Sequence, residues 1–431
     1  MAICSGAGRT AMRCLCNLVL RALATKNIFA SSTCSLMKML LHELVRPSPI
    51  AGSELPWLPP DILMDIFAHL EIPDLVRAGS VCASWRAACT SLCATEHRCK
   101  LQQTPCLLYT SESLGDRAMG LYSLAEKKAY TLALPDPPIR SREIIGSSYG
   151  WIITADERSE LQLVNPITGD QIALPSVTTI EQVQPVFDDE GTLCNYEYSW
   201  HTADAWVSVS DKASILDLSK LRDVLFYKAS LSSDPSTGDY FVVLIHNPES
   251  QLSFARAGDE EWTWLPPHTF YEDCQFQGGL LYATTADGEI HAFDLGAPAL
   301  VAKIILNRVR SSVSDRIYTV QAPCGELLQI RRFATGSQLP LKTSTIQVHK
   351  VDLTSEKLLV LVNTLGENVL FIGRNQTLCL CAKEYPQLKP NHAYFTEDDY
   401  LNVTSFKNLS RDIGQFDLEN NRNMEVVSPQ L

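Results

Sequence analysis

The sequence predicts an α+β, multidomain protein: a small three-helix unit followed by an all-β propeller of about six or seven blades. Three observations carry this reading. Apolar residues recur at helical spacing between Leu58 and Arg86. Short apolar runs separated by Gly, Asp, Asn and Pro take over from Leu107. Those runs repeat with a period near 40 residues.

A chain of 431 residues has room for two or three domains, and 45% apolar with 20% charged residues is a globular composition. The formal charge of -13 argues against a nucleic-acid partner, because such affinity depends on Lys and Arg facing phosphates. The same charge argues against adhesion to an anionic membrane. Charge is unevenly placed. Residues 1–46 hold six Lys or Arg and one acid, Glu43, so the remainder carries -18. Residues 1–52 therefore read as a basic, disordered tail and linker, closed by Pro47, Pro49, Ala51 and Gly52. The tail has the composition of an organelle transit peptide. A disordered extension and a misassigned start remain alternatives. Its apolar run, Leu15 to Ala24, is too short to span a bilayer and is broken by Arg21.

Nine of the 14 cysteines lie at Cys106 or earlier, with irregular spacing, so reduced thiols are expected rather than a disulfide framework. Cys89, Cys93 and His97 share one presumed helix face, but no CxxC pair completes a zinc site. Buried small side chains are the expected role, and neither metal nor cofactor is predicted.

The helical unit is bounded at 53–100. Pro60 fits a first helical turn, where its missing N–H costs nothing. Ile62, Leu63, Ile66, Phe67 and Leu70 then cover an arc of about 140°, wider than the usual core stripe. Pro73 opens a second helix containing Leu75 and Val76. A third places Cys82, Trp85, Cys89 and Cys93 on one stripe. A unit this small hides too little apolar surface to stand alone, so part of the arc must meet something else.

The string Leu58-Pro59, Ile62-Leu63, Ile66-Phe67, Leu70, Asp74-Leu75, Arg77, Val81-Cys82, Trp85-Arg86 resembles an F-box. The resemblance implies docking onto the SKP-type adaptor of a cullin–RING ubiquitin ligase. It assigns Leu58, Pro59, Ile62, Ile66, Leu70, Leu75, Val81 and Cys82 to that interface, and Trp85 to the internal core.

In the β-region, bounded at 107–420 with a short tail at 421–431, representative runs are WIITAD from Trp151, YFVVLIH from Tyr240 and LQIRRF from Leu328. Leu134-Pro135, Leu174-Pro175 and Leu265-Pro266 each close an apolar stretch, one and then about two units apart. Gly150 and Gly279 each open a strand that ends at Asp156 and Asp287. This is the signature of a propeller; a β-sandwich pair fits the strand count but gives no reason for the repeat. Strings such as GSSYGWIITADERSELQLVNPITGDQIALP from Gly146 and YEDCQFQGGLLYATTADGEIHAFDL from Tyr271 resemble a plant family of F-box proteins. That family has a β-propeller-like C-terminal domain, formerly described only as a domain of unknown function.

Catalysis is not expected. Gly146 to Gly150 matches GxSxG, but the strand-like Trp151-Ile152-Ile153 comes next, where a nucleophile elbow needs a helix. Asp188-Asp189-Glu190 and Glu397-Asp398-Asp399 read as charged turns, and Trp262 with Trp264 as core. Trp200, His201 and Trp206 lie in the least repeat-like stretch and are the candidate substrate contacts. The expected function is the substrate-recognition subunit of an SKP–cullin–F-box ubiquitin ligase in cytoplasm or nucleus, with no catalysis of its own. The alternative is an organelle-targeted propeller module whose F-box is degenerate.

Overall fold

A computed structural model describes residues 58–68, 70–94, 103–199, 213–267, 269–308, 316–336, 341–352, 354, 359–399 and 411–424. The chain separates into two compact units. The first runs to Cys106 and takes in Lys383–Gln387; the second is Leu107–Ala382 with Leu388–Leu431.

The first unit contains α1 (Pro60–Phe67), α2 (Ile72–Gly79) and α3 (Ala83–Ala94). A proline sits in the first turn of both α1 and α2, and Asp61 and Asp74 add negative charge at the electropositive ends. α1 ends at Phe67, earlier than the apolar periodicity suggests, and Leu70 falls in the connection to α2. Leu63, Phe67, Leu70, Leu75, Ala78, Trp85, Ala88 and Leu92 form one core. Within it the Phe67 and Trp85 rings meet edge to face at 5.2 Å, the arrangement that ring quadrupoles favour. The Gln103 side chain holds both ends of the α1–α2 connection, accepting from Ile72 N–H and donating to the Leu70 carbonyl.

The second unit contains seven sheets among its described residues. The first comprises β1 (Cys106–Tyr109), β2 (Ala118–Ser123) and β3 (Lys128–Ala133). Four antiparallel strands come next: β4 (Glu143–Ser148), β5 (Trp151–Ala155), β6 (Leu161–Val164) and β7 (Gln171–Ala173). A three-stranded sheet holds β8 (Val183–Phe187), β9 (Leu193–Tyr198) and β10 (Ser214–Asp217), and α4 (Leu218–Leu225) succeeds it.

Three regular four-stranded sheets continue the chain. They are β11 (Phe226–Leu231), β12 (Phe241–His246), β13 (Gln251–Arg256) and β14 (Thr263–Leu265); then β15 (Tyr271–Gln277), β16 (Leu280–Thr285), β17 (Ile290–Phe293) and β18 (Lys303–Leu306); then β19 (Arg316–Gln321), β20 (Leu327–Thr335), β21 (Lys342–Val351) and β22 (Leu359–Val362). The last sheet has five strands in the order β24-β23-β25-β26-β27. They are β23 (Asn368–Ile372), β24 (Leu378–Cys381), β25 (His392–Phe395), β26 (Gly414–Asp417) and β27 (Arg422–Met424), and the β23–β25 pair is parallel.

The sequence repeat has a geometric meaning. Leu134 and Leu174 directly follow the outer strands β3 and β7, and Leu265 ends the outer strand β14. Gly150 and Gly279 sit at positive φ in the hairpins that join the first two strands of their sheets, where a left-handed residue suits the tight turn. The Asp156 carboxylate accepts two backbone N–H groups of the turn after β5. Ser148 is buried at the end of β4, and the chain turns directly into β5, so GxSxG here is a hairpin and not a nucleophile elbow.

The three-stranded β8–β10 sheet stands apart from its neighbours. β4 packs directly on β11, so the β8–β10 sheet lies outside that inner contact. It still shares the core, through Val183, Tyr196 and Tyr198 packed with Ile145, Phe226 and Leu244. The β4–β11 approach depends on Gly146, where an added Cβ would collide with the backbone carbonyl oxygen of Ala229. Gly146→Val should therefore cost about 3 kcal/mol or more, as overpacking against unyielding backbone. Chemical denaturation of the purified protein measures it; an unchanged midpoint would contradict the close approach.

Candidate partner-docking and axial sites

In the helical unit, the residues expected to face an adaptor divide into two groups. Leu58 and Pro59, just before α1, Ile62 and Ile66 on α1, and Val81 and Cys82 between α2 and α3 are all half-buried. Each offers apolar surface that the unit itself does not cover. Leu70 and Leu75 are different: at 3% and 8% exposed they belong to the unit's own core. In units of eight-residue helices the inward stripe is narrow, and the α1–α2 connection folds Leu70 beneath it. Trp85 lies in that same core at 7% exposed. Sequence reasoning missed Val76, which stands 62% exposed on α2. On α2 the buried stripe is Asp74, Leu75 and Ala78, and Val76, about 100° round the helix from Leu75, lies off it; that periodicity was the available signal.

Two polar details shape this surface. Arg77 pairs with the largely buried Asp74 at 2.6 Å and so removes a charge from the apolar face. Partial burial pushes the Cys82 thiol up, but hydrogen bonds with the Ser84 side chain and the N–H groups of Ser84 and Trp85 hold it below its ordinary value. Cys89 donates to the Leu75 carbonyl, and no cluster of metal-ligating side chains occurs among the described residues.

The propeller unit has a second concentration of chemistry, which no sequence motif marks. Charged residues within otherwise apolar strands converge on one cleft lined by Tyr227, Lys228, Glu272, Tyr318, Gly373, Arg374 and Asp398. Lys228 of β11 and Asp273 of β15 are 3% and 1% exposed and pair at 2.7 Å. The Lys228 ammonium also donates to the Gly373 carbonyl at 2.8 Å. Asp273 further accepts from Thr319 N–H and the Thr377 hydroxyl. Arg332 of β20 binds Asp398 at 2.9 Å and Asp412 at 2.7 Å, and its guanidinium lies 4.9 Å from the Phe395 ring centre. Arg374 reaches Glu143 of β4 at 2.8 Å.

Burial pushes the Glu272 and Asp273 carboxyls up, against the opposing pull of Arg316 and Lys228 respectively. Burial likewise raises the Tyr227 and Tyr318 phenols. The Nε and Nη2 atoms of Arg374 are buried without a hydrogen-bond partner among the described residues. The space beside them is about 10 Å³, enough for one water and far below a small-molecule pocket. This cluster is built to hold strands together. Glu397-Asp398-Asp399, expected as a charged turn, supplies part of it. Asp188-Asp189-Glu190 is such a turn, with Asp188 accepting from the Glu190 and Thr192 N–H groups. Trp262 is core, its indole donating to the Pro175 carbonyl at 3.0 Å. Trp200, His201 and Trp206 lie outside the described residues.

The KIB1-4 beta-propeller family model matches residues 121–417, and an F-box-like model matches residues 55–95. The chain belongs to the KIB1-4 beta-propeller family. It is 28% identical to F-box only protein 7 of Arabidopsis thaliana over 54% of this chain and 56% of that one. It is 29% identical to F-box protein KIB4 of the same plant over 36% and 38%. A further Arabidopsis thaliana F-box protein is 25% identical over 79% of this chain and 85% of its own. The chain thus spans little more than half the length of the first of these relatives. Family and architecture together make it a plant F-box protein with a propeller.

The axial ion pairs carry a stability prediction. Lys228→Met leaves Asp273 buried without its cation and should cost about 3–5 kcal/mol. Adding Asp273→Leu should recover much of that loss. Denaturant titration of the three proteins decides it; equal midpoints for single and double variants would refute the coupling.

Proposed function

We propose that this chain is the substrate-recognition subunit of an SKP–cullin–F-box ubiquitin ligase. The helical unit binds the SKP-type adaptor, and the propeller unit binds a target protein. The observation that carries the reading is the F-box-like segment, with apolar side chains left uncovered at Leu58, Ile62, Ile66, Val76 and Val81, joined in one chain to a KIB1-4 propeller. The chain contributes no chemistry in this reading. It holds a target beside the ligase's charged conjugating enzyme, so that an encounter in solution becomes an effectively intramolecular transfer.

Co-purification with an SKP-type adaptor tests the proposal. Wild type should capture the adaptor, and Leu58→Asp with Ile66→Asp should abolish capture. Val76→Asp should weaken it at least about tenfold, since a charge would face an apolar partner surface without compensation. Failure of wild type to bind, or binding that survives the double substitution, would overturn the assignment.

The proposal also sets a compartment. Cullin-based ligases work in cytoplasm and nucleus, so the full-length protein tagged at its C-terminus should localise there by fluorescence imaging. Uniform plastid or mitochondrial signal would instead fit the basic tail acting as a transit peptide and would remove the ligase reading.

A further inference from the structure

The β8–β10 sheet is a three-stranded sheet placed outside the inner strand contacts, and it is chemically one-sided. From Ser159 to Asp211 the chain contains nine acids and neither Lys nor Arg. Among the described residues of the sheet and its turn, Glu181, Asp188, Asp189, Glu190, Glu197 and Asp217 are acidic and none is basic. The inner face is spent on the core, through Val183, Tyr196 and Tyr198. On the outer face, Gln184, Glu197 and Ile215 stand in one cross-strand row, all exposed. Ile215 is 59% exposed and Phe187, at the far end of β8, is 57% exposed.

The two edges of this sheet differ. β8 carries Pro185 at its centre, which lacks the N–H that a further strand would need. β10 reads Ser214-Ile215-Leu216-Asp217, with neither Pro nor Lys to blunt it, and among the described residues no strand pairs with its outer side. The outer strands β18 and β22 do not combine these properties. β18 begins with Lys303; β22 exposes Val360 and Leu361 but holds no acid.

We propose that the outer edge of β10, which no described strand pairs, receives an extended segment of a target protein by strand addition, and that this segment alternates basic and apolar residues. Backbone pairing with β10 supplies affinity. Ile215 takes the segment's apolar side chains, and Glu197 and Asp217 take its Lys or Arg. The opposite charge steers the encounter and rejects acidic competitors. This rests on the substrate-receptor reading and names the surface and the partner chemistry for it.

The full-length protein is titrated with a short synthetic peptide alternating Lys and Val, and with its counterpart alternating Glu and Val. The Lys peptide should bind, more weakly as salt rises, and the Glu peptide should not. Hydrogen exchange should show new protection at the amides of Ser214–Asp217. Ile215→Lys with Glu197→Lys should weaken binding at least about tenfold, whereas Leu361→Glu on β22 should not. Both sheet positions are exposed, so circular dichroism should confirm an intact fold.

Equal binding by the double variant, protection at β22 instead of β10, or no binding by wild type would each overturn the proposal. Adaptor capture is measured on the same preparations. Capture retained while peptide binding fails removes the β10 edge alone. Capture lost in wild type removes the receptor reading, whatever the peptide does.

Discussion

The buried Lys228–Asp273 pair is the constraint on which the propeller unit depends. It joins β11 to β15, and the same ammonium holds the Gly373 carbonyl in the turn between β23 and β24. That turn also meets β4 through Gln376 N–H and the Ser147 carbonyl, and through Arg374 and Glu143. Segments far apart in sequence are thus locked by groups that cannot be left unpaired away from water. Such pairs add little net stability over a well-packed apolar alternative, because desolvation consumes most of the attraction. Removing one partner alone costs most, because it strands the other charge away from water. Gly373 belongs to the same constraint, since a Cβ there would strike the Thr396 side chain.

The helical unit shows a different balance. It is held by one small apolar core, with Trp85 edge-on to Phe67, and by Gln103 fixing the α1–α2 connection. That core uses up Leu70 and Leu75 and leaves Leu58, Ile62, Ile66, Val76 and Val81 with surface to offer. In a unit of this size, residues that fold it and residues with uncovered apolar surface alternate along one short stretch of chain.

The helical segment, its three helices and the central role of Trp85 were legible in the sequence because helical spacing and Pro placement are local signals. So was the repeated strand unit, whose Leu-Pro closures, hairpin glycines and Asp turns each act within a few residues. The GxSxG string reads as a hairpin for the same reason, since the residues after Gly150 carry a strand pattern. The division of the apolar arc into core and surface was less legible. Leu70 and Val76 are both apolar, but the α1–α2 connection folds one inward and α2 turns the other outward. The axial cluster was not legible at all: Lys228, Asp273, Arg332 and Asp398 look like ordinary strand and turn charges until four sheets bring them together.

The sequence by itself determined the composition of each element: which stretches are helices, which are strands, where they turn, and the family to which their pattern belongs. Those properties come from backbone preference and side-chain alternation, which act over a few residues. Only the tertiary structure decided which apolar residues remain uncovered and which charges are buried as pairs. Burial and pairing depend on segments separated by tens to hundreds of residues, and no local pattern carries the distance between them.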